Sequence, residues 1–167
     1  MNDTTVRPTR LRLFVDETGS LDKGSFGDDS DRYLSVTGVI VRVRHFKETI
    51  EPALNELRNQ HFEHSPDNPV ILQRTDIRGR KKAFAVLKDD NRRKQWGNDF
   101  LNFLGTAKFG VITVCVDKAE MAKRQWKSDK DPYHFAMITM LERYFLCLNK
   151  YNMVGDVIAE SRCPKQD

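Results

Sequence analysis

The sequence predicts an α/β fold whose sheet opens with an antiparallel pair and becomes parallel later. Three observations carry this. Two β-rich stretches, RLRLFVD at 10–16 and YLSVTGVIVRV at 33–43, follow each other early in the chain. Two later apolar runs, FGVITVCVD at 109–117 and VGDVIAES at 154–161, are separated by stretches with helical periodicity. Strands alternating with helices bury a parallel sheet, whereas neighbouring strands without a helix between them form a hairpin.

The first stretch alternates. Leu11, Leu13 and Val15 point one way, and Arg12, Phe14 and Asp16 the other, which is a strand with one buried face. A Gly-, Ser- and Asp-rich segment follows at 18–31 and reads as a long loop before the second strand. Phe46, Ile50, Leu54 and Leu57 give an amphipathic helix over 46–62, which SPDNP at 65–69 breaks. VILQ at 70–73 reads as a short strand or extended segment, and 79–88 as a short helix. Asp89 or Asp90 caps a helix carrying Trp96, Phe100, Phe103 and Leu104, with Gly105 ending it. After the strand at 109–117 comes a short polar helix at 118–127. Asp131–Pro132 starts a long helix in which His134, Ile138, Leu141, Phe145 and Leu148 mark one face. A strand as late as 154–161 normally has a helix after it. We therefore read one domain over 1–167 that a C-terminal segment or a partner completes, a point the mass of the intact gene product decides.

Bulk properties exclude several classes. The 167 residues suit one domain, and 39% hydrophobic with 31% charged residues is ordinary for a globular protein. No apolar run reaches the ~20 residues of a membrane span, and the N-terminus lacks a secretory stretch, so a cytoplasmic location is expected. Cys115, Cys147 and Cys163 form no CxxC pair, and Cys115 and Cys147 read as reduced core residues. His61 and His64 lack a nearby third ligand, which disfavours zinc, and read as surface residues at a helix end.

The charge distribution is more informative than the net +4. Arg74, Arg78, Arg80, Lys81, Lys82, Lys88, Arg92, Arg93 and Lys94 face only Asp76, Asp89 and Asp90 in the same stretch. Such a segment suits nucleic acid phosphates, although a solvated face has the same composition.

Metal-assisted phosphodiester chemistry needs carboxylates converging on a hard cation such as Mg²⁺ or Mn²⁺, and the ends of adjacent strands are the natural place for them. VDETG puts Asp16 and Glu17 at the end of the first strand, and VIAES puts Glu160 at the end of the last. If those strands are parallel neighbours, Asp16 and Glu160 adjoin. Alternation turns Asp16 and Glu17 to opposite faces, which favours Asp16 as the ligand. Asp117 reads as a turn residue or helix cap, Asp76 as a turn former or a further acid, and Asp167 as a carboxylate that returns seven residues after Glu160. No GxxxxGK[ST] or GxSxG is present. An actin-like nucleotide hydrolase needs two phosphate loops, and DETGS is the one candidate.

Four stretches in order, FVDETGS with YLSVTGVIV, VILQRTDIRGRKKAF, VITVCVDK, and DPYHFAMITMLERY with VIAESR, make the chain resemble the DUF3800 family of prokaryotic and phage proteins over nearly its whole length. The resemblance implies a ribonuclease H-like mixed sheet flanked by helices. It also implies metal-binding roles for Asp16, Glu160, Asp76 and Asp167, and a setting in mobile elements, toxin systems or antiphage defence. Gln73 stands where that family usually has His. The leading expectation is a metal-dependent nuclease in which Asp16, Glu160 and Asp76 act catalytically and Asp16, Glu17, Glu160 and Asp167 hold Mg²⁺ or Mn²⁺. Arg74, Arg78, Arg80, Lys81, Lys82, Arg92 and Arg93 would grip RNA or DNA. The alternative is an inactive nucleic-acid-binding or assembly module of a larger defence complex, with a protein partner or a second copy.

Overall fold

A computed structural model describes residues 9–19, 29–63, 65, 67, 69–123 and 131–159. The chain divides into two compact units, one formed by residues 1–43 with 109–167 and the other by 44–108.

The first unit is built on four strands, β1 (Arg10–Gly19), β2 (Tyr33–Arg42), β3 (Gly110–Asp117) and β4 (Val154–Ala159), in the order β3-β2-β1-β4. β1 and β2 pair antiparallel from Leu11↔Arg42 to Gly19↔Leu34, and β2 and β3 pair antiparallel from Tyr33↔Asp117 to Ile40↔Gly110. β4 lies parallel to β1, from Arg10↔Val154 to Val15↔Ala159. A mixed α/β sheet is present as expected, but with one parallel pair: the strand at 109–117, expected among the parallel strands, pairs antiparallel with β2. The carboxyl ends of β1, β3 and β4 all fall at the same end of the sheet.

Short helices α1 (Asp29–Arg32) and α2 (Val43–His45) flank β2, α6 (Lys118–Lys123) follows β3, and α7 (Pro132–Lys150) covers one face. Leu11, Leu13, Val15, Val36 and Val116 point from the sheet onto Ala136, Met140 and Tyr144 of α7, all of them buried. The alternation of β1 decides this face: every second residue from Leu11 to Val15 loses its water, and each such aliphatic side chain contributes roughly 1.5–3 kcal/mol. α7 starts as predicted, with the Asp131 carboxylate accepting from the Tyr133 amide at 2.9 Å and Pro132 in the first turn. Its inward face is not the predicted one, since Ile138, Leu141 and Phe145 are exposed.

β1 runs on to Gly19, past the expected end at Asp16–Glu17. Gly19 has φ 106°, and a Cβ there would lie 2.3 Å from the Tyr33 carbonyl oxygen, so only glycine closes the β1–β2 pairing.

In the second unit a π-helical stretch (Phe46–Ile50) leads into α3 (Glu51–His61), followed by α4 (Arg74–Gly79), a 3₁₀ helix (Lys82–Lys88) and α5 (Asp90–Thr106). Leu57, Phe62, Val70, Phe84, Leu87 and Trp96 form its core, with the Phe62 ring 4.7 Å from Phe84 and 4.8 Å from Trp96 between centroids. Asp89 caps α5 by accepting from the Arg92 amide at 2.9 Å. Three expectations change here. Residues 70–73 are not a strand, the short helix expected at 79–88 is split between α4 and the 3₁₀ turn, and α5 continues through Gly105. His61 is also not a surface residue: its side chain is 7% exposed, packs edge-on against Trp96, and bonds through Nε2 to Asp99 Oδ2 at 2.9 Å. No helix among the described residues is long and apolar enough to cross a membrane.

Candidate functional site

The face of the sheet opposite α7 carries Arg12, Phe14 and Asp16 from β1, as alternation requires. Asp16 is exposed, lies opposite Thr37 of β2, and accepts the Glu17 amide on Oδ1 at 2.9 Å. Thr37 in turn meets Thr113 of β3, hydroxyl to hydroxyl at 3.1 Å. Glu17 turns to the α7 side and is half-buried.

Asp156 of β4 was absent from the expected residues, and it does much to place this end of the sheet. Arg12 donates to it through Nε at 2.7 Å and Nη2 at 2.9 Å, and Arg10 approaches it at 3.4 Å. The hydrogen bond from Arg12 holds the Asp156 carboxyl below its ordinary range, and the same bond raises the Arg12 guanidinium. A two-pronged pair of this kind has one geometry. It fixes the parallel register of β1 and β4, and therefore the pairing of Val15 with Ala159 at the far end. The sequence signal was a lone acid at an alternating position of VGDVIA, matching Arg12 in RLRLFV.

Asp117 closes β3 and acts as the cap that its position suggested. Its Oδ1 accepts the Ala119 and Glu120 amides, each at 3.1 Å, and Arg32 grips both oxygens, the shortest contact being 2.6 Å. Arg32 first, then those amides, hold this carboxyl at about 2. Next to it, Lys118 is the one charged side chain among the described residues that is fully buried. Cys115, expected in the core, is exposed on the open face of β3.

Asp76 belongs to the second unit. Its side chain is 14% exposed and its Oδ2 accepts from Lys82 Nζ at 2.7 Å. Arg74, Arg78, Arg80, Lys81 and Lys82 are all exposed, on α4 and the turn after it. Arg92 is exposed as well, while Arg93 pairs with Asp90 at 2.8 Å. Glu160 and Asp167 lie outside the described residues.

Asp16 and Glu17 offer the hard oxygen donors that Mg²⁺ or Mn²⁺ takes. Asp156 and Asp76 already have arginine or lysine as counter-charge. Among the described residues no three His, Cys, Asp or Glu side chains gather as a metal site. Comparisons with protein-family models, curated proteins and solved structures found no match to this chain.

Proposed function

We propose that the chain is a metal-dependent phosphodiesterase acting on nucleic acid, with its centre at the carboxyl ends of β1 and β4. The parallel register carries this reading. The last described pair is Val15 with Ala159, and the next residues in the sequence are Asp16 and Glu160. Two acids following a matched pair on adjacent parallel strands suit one shared cation. A mixed sheet that opens with an antiparallel hairpin and pairs β4 parallel to β1 is compatible with the ribonuclease H-like resemblance.

In this reading Asp16 and Glu160 hold Mg²⁺ or Mn²⁺, with Glu17 or Asp167 completing the shell. The cation supplies Lewis-acid stabilisation to the phosphodiester oxygens. The Glu17 amide fixes the Asp16 carboxylate, leaving Oδ2 for the cation. The exposed cations of the second unit, Arg74, Arg78, Arg80, Lys81, Lys82 and Arg92, together with the half-buried Arg93, bind the phosphate backbone.

The test is cleavage of labelled single- and double-stranded RNA and DNA by the purified chain with Mn²⁺, Mg²⁺ or EDTA. Cleavage that needs the metal and is lost in both Asp16→Ala and Glu160→Ala supports the reading. No cleavage, together with no rise in melting temperature on adding metal, sinks it. It would leave the binding or assembly module, which the pairing of Asp76 with Lys82 favours.

A further inference from the structure

We propose that Arg80 and Lys81, on a turn latched by the Lys82–Asp76 ion pair, form a preformed grip for nucleic acid phosphates that works without metal and lies wholly within the second unit. The proposal rests on the phosphate-binding role given to these cations above and adds the fixed turn that presents them without metal.

Backbone conformation is the first observation. α4 ends at Gly79, yet the left-handed residue that terminates it is Arg80, at φ 49° and ψ 48°. Two residues on, Lys82 is left-handed too, at φ 52°. Helix ends of this kind favour glycine, because a Cβ crowds the backbone there. A glycine stands one position away and is not used for the purpose. The chain instead sets long cationic side chains at both disfavoured positions, and strain kept at such places marks function.

The turn is also held in place. Arg80 donates its amide to the Ile77 carbonyl at 3.2 Å, and Lys81 donates to the Asp76 carbonyl at 3.0 Å. Lys82 Nζ reaches the Asp76 carboxylate at 2.7 Å. The Lys81 stem lies across Gly79, where an added Cβ would meet its Cε at 3.3 Å, so Gly79 leaves room for a lysine. Asp76 is in this account a positioning residue that latches the turn.

Charge is the third observation. Residues 74–82 hold five cations (Arg74, Arg78, Arg80, Lys81, Lys82) and one acid, Asp76, and all five cations are exposed. A fixed turn with the Lys81 stem already seated across Gly79 lowers the entropy lost on binding. Arginine on a fixed turn presents its forked donors to phosphate oxygens.

Binding of short fluorescent single-stranded RNA, single-stranded DNA and duplex DNA to the full chain in EDTA tests this, by anisotropy over a salt series. Arg80→Gly is expected to weaken binding, to lower the slope of log affinity against log salt by about one, and to raise the thermal midpoint by about 2 °C through relief of strain. Arg80→Ala weakens binding without that rise, and Arg80→Lys keeps the salt slope while losing part of the affinity with the forked donors. Wild-type chain that binds none of the three probes, or Arg80→Gly and Arg80→Ala that bind with wild-type affinity and salt slope, overturns the proposal. The two readings fail separately. Absent cleavage with Arg80-dependent binding sinks only the phosphodiesterase, whereas metal-dependent cleavage with binding indifferent to Arg80 sinks only the grip.

Discussion

Gly155 sits in β4 under α7, and replacing it with alanine tests how tightly the helix holds that strand. A Cβ at this position would lie 2.1 Å from Tyr144 Oη, 2.8 Å from its Cζ and 3.1 Å from Leu148 Cδ2. Tyr144 is buried and donates its hydroxyl to the Asp156 carbonyl at 3.3 Å, so it cannot step aside without giving up that bond. Overpacking of this kind costs about 1–3 kcal/mol. The lost freedom of glycine in the unfolded chain offsets about 0.4–1 kcal/mol of it. We expect Gly155→Ala to destabilise by about 2.6 kcal/mol at most. Tyr144→Phe alone loses one long hydrogen bond, about 0.5–1 kcal/mol. It also removes the nearest clashing atom, so the double variant should be more stable than the sum of the singles by roughly 1 kcal/mol. Urea unfolding of all four proteins gives the cycle. Additivity within about 0.3 kcal/mol would refute the packing account, because the two residues would then not be in contact.

Two further outcomes follow from other contacts. Asp117 is held at about 2, below its ordinary 3.8, so its pairing with Arg32 stabilises the fold above about pH 4 and is lost as pH falls towards 2. The difference in urea midpoint between wild type and Arg32→Gln is thus expected to be constant above about pH 4 and to shrink below it, and parallel curves down to about pH 2 contradict this. Phe84, 2% exposed among Phe62 and Trp96, is expected to cost about 3–5 kcal/mol on truncation to alanine, and tryptophan fluorescence during urea unfolding reads that loss.

The sequence revealed the sheet better than the packing upon it. Period-two patterning is strong in β1 and β2, so both strands and their hairpin could be read directly. The late apolar run 154–161 read as a strand, but its pairing with β1 entered only as the condition under which Asp16 and Glu160 adjoin. The inward side of α7 was not legible. Leu141, Phe145 and Ile138 continue the apolar arc begun by Ala136, Met140 and Tyr144, and a helix apolar over so much of its circumference does not say which part meets the sheet. β3 has the same ambiguity. Its side chains are apolar on both faces, but it is an edge strand, so Val111 and Cys115 stay exposed. Pairings across long separations, Arg12 with Asp156 and His61 with Asp99, need the register or the packing before they can be named. The turn after α4 was not legible either: a short helix was expected over 79–88, where the chain instead turns at the left-handed Arg80.

The partners Arg12 and Asp156 are 144 residues apart. At roughly 5–20 residues per second, a ribosome that has finished β1 needs roughly 7–30 s more to reach β4. Through that interval β1 has β2 and then β3 in its sheet, but its other edge is open, a row of amides and carbonyls facing water. The carboxyl ends of β1 and β4 are therefore the last part of the sheet to meet. During synthesis, any chemistry that needs both strand ends is withheld until the sheet closes.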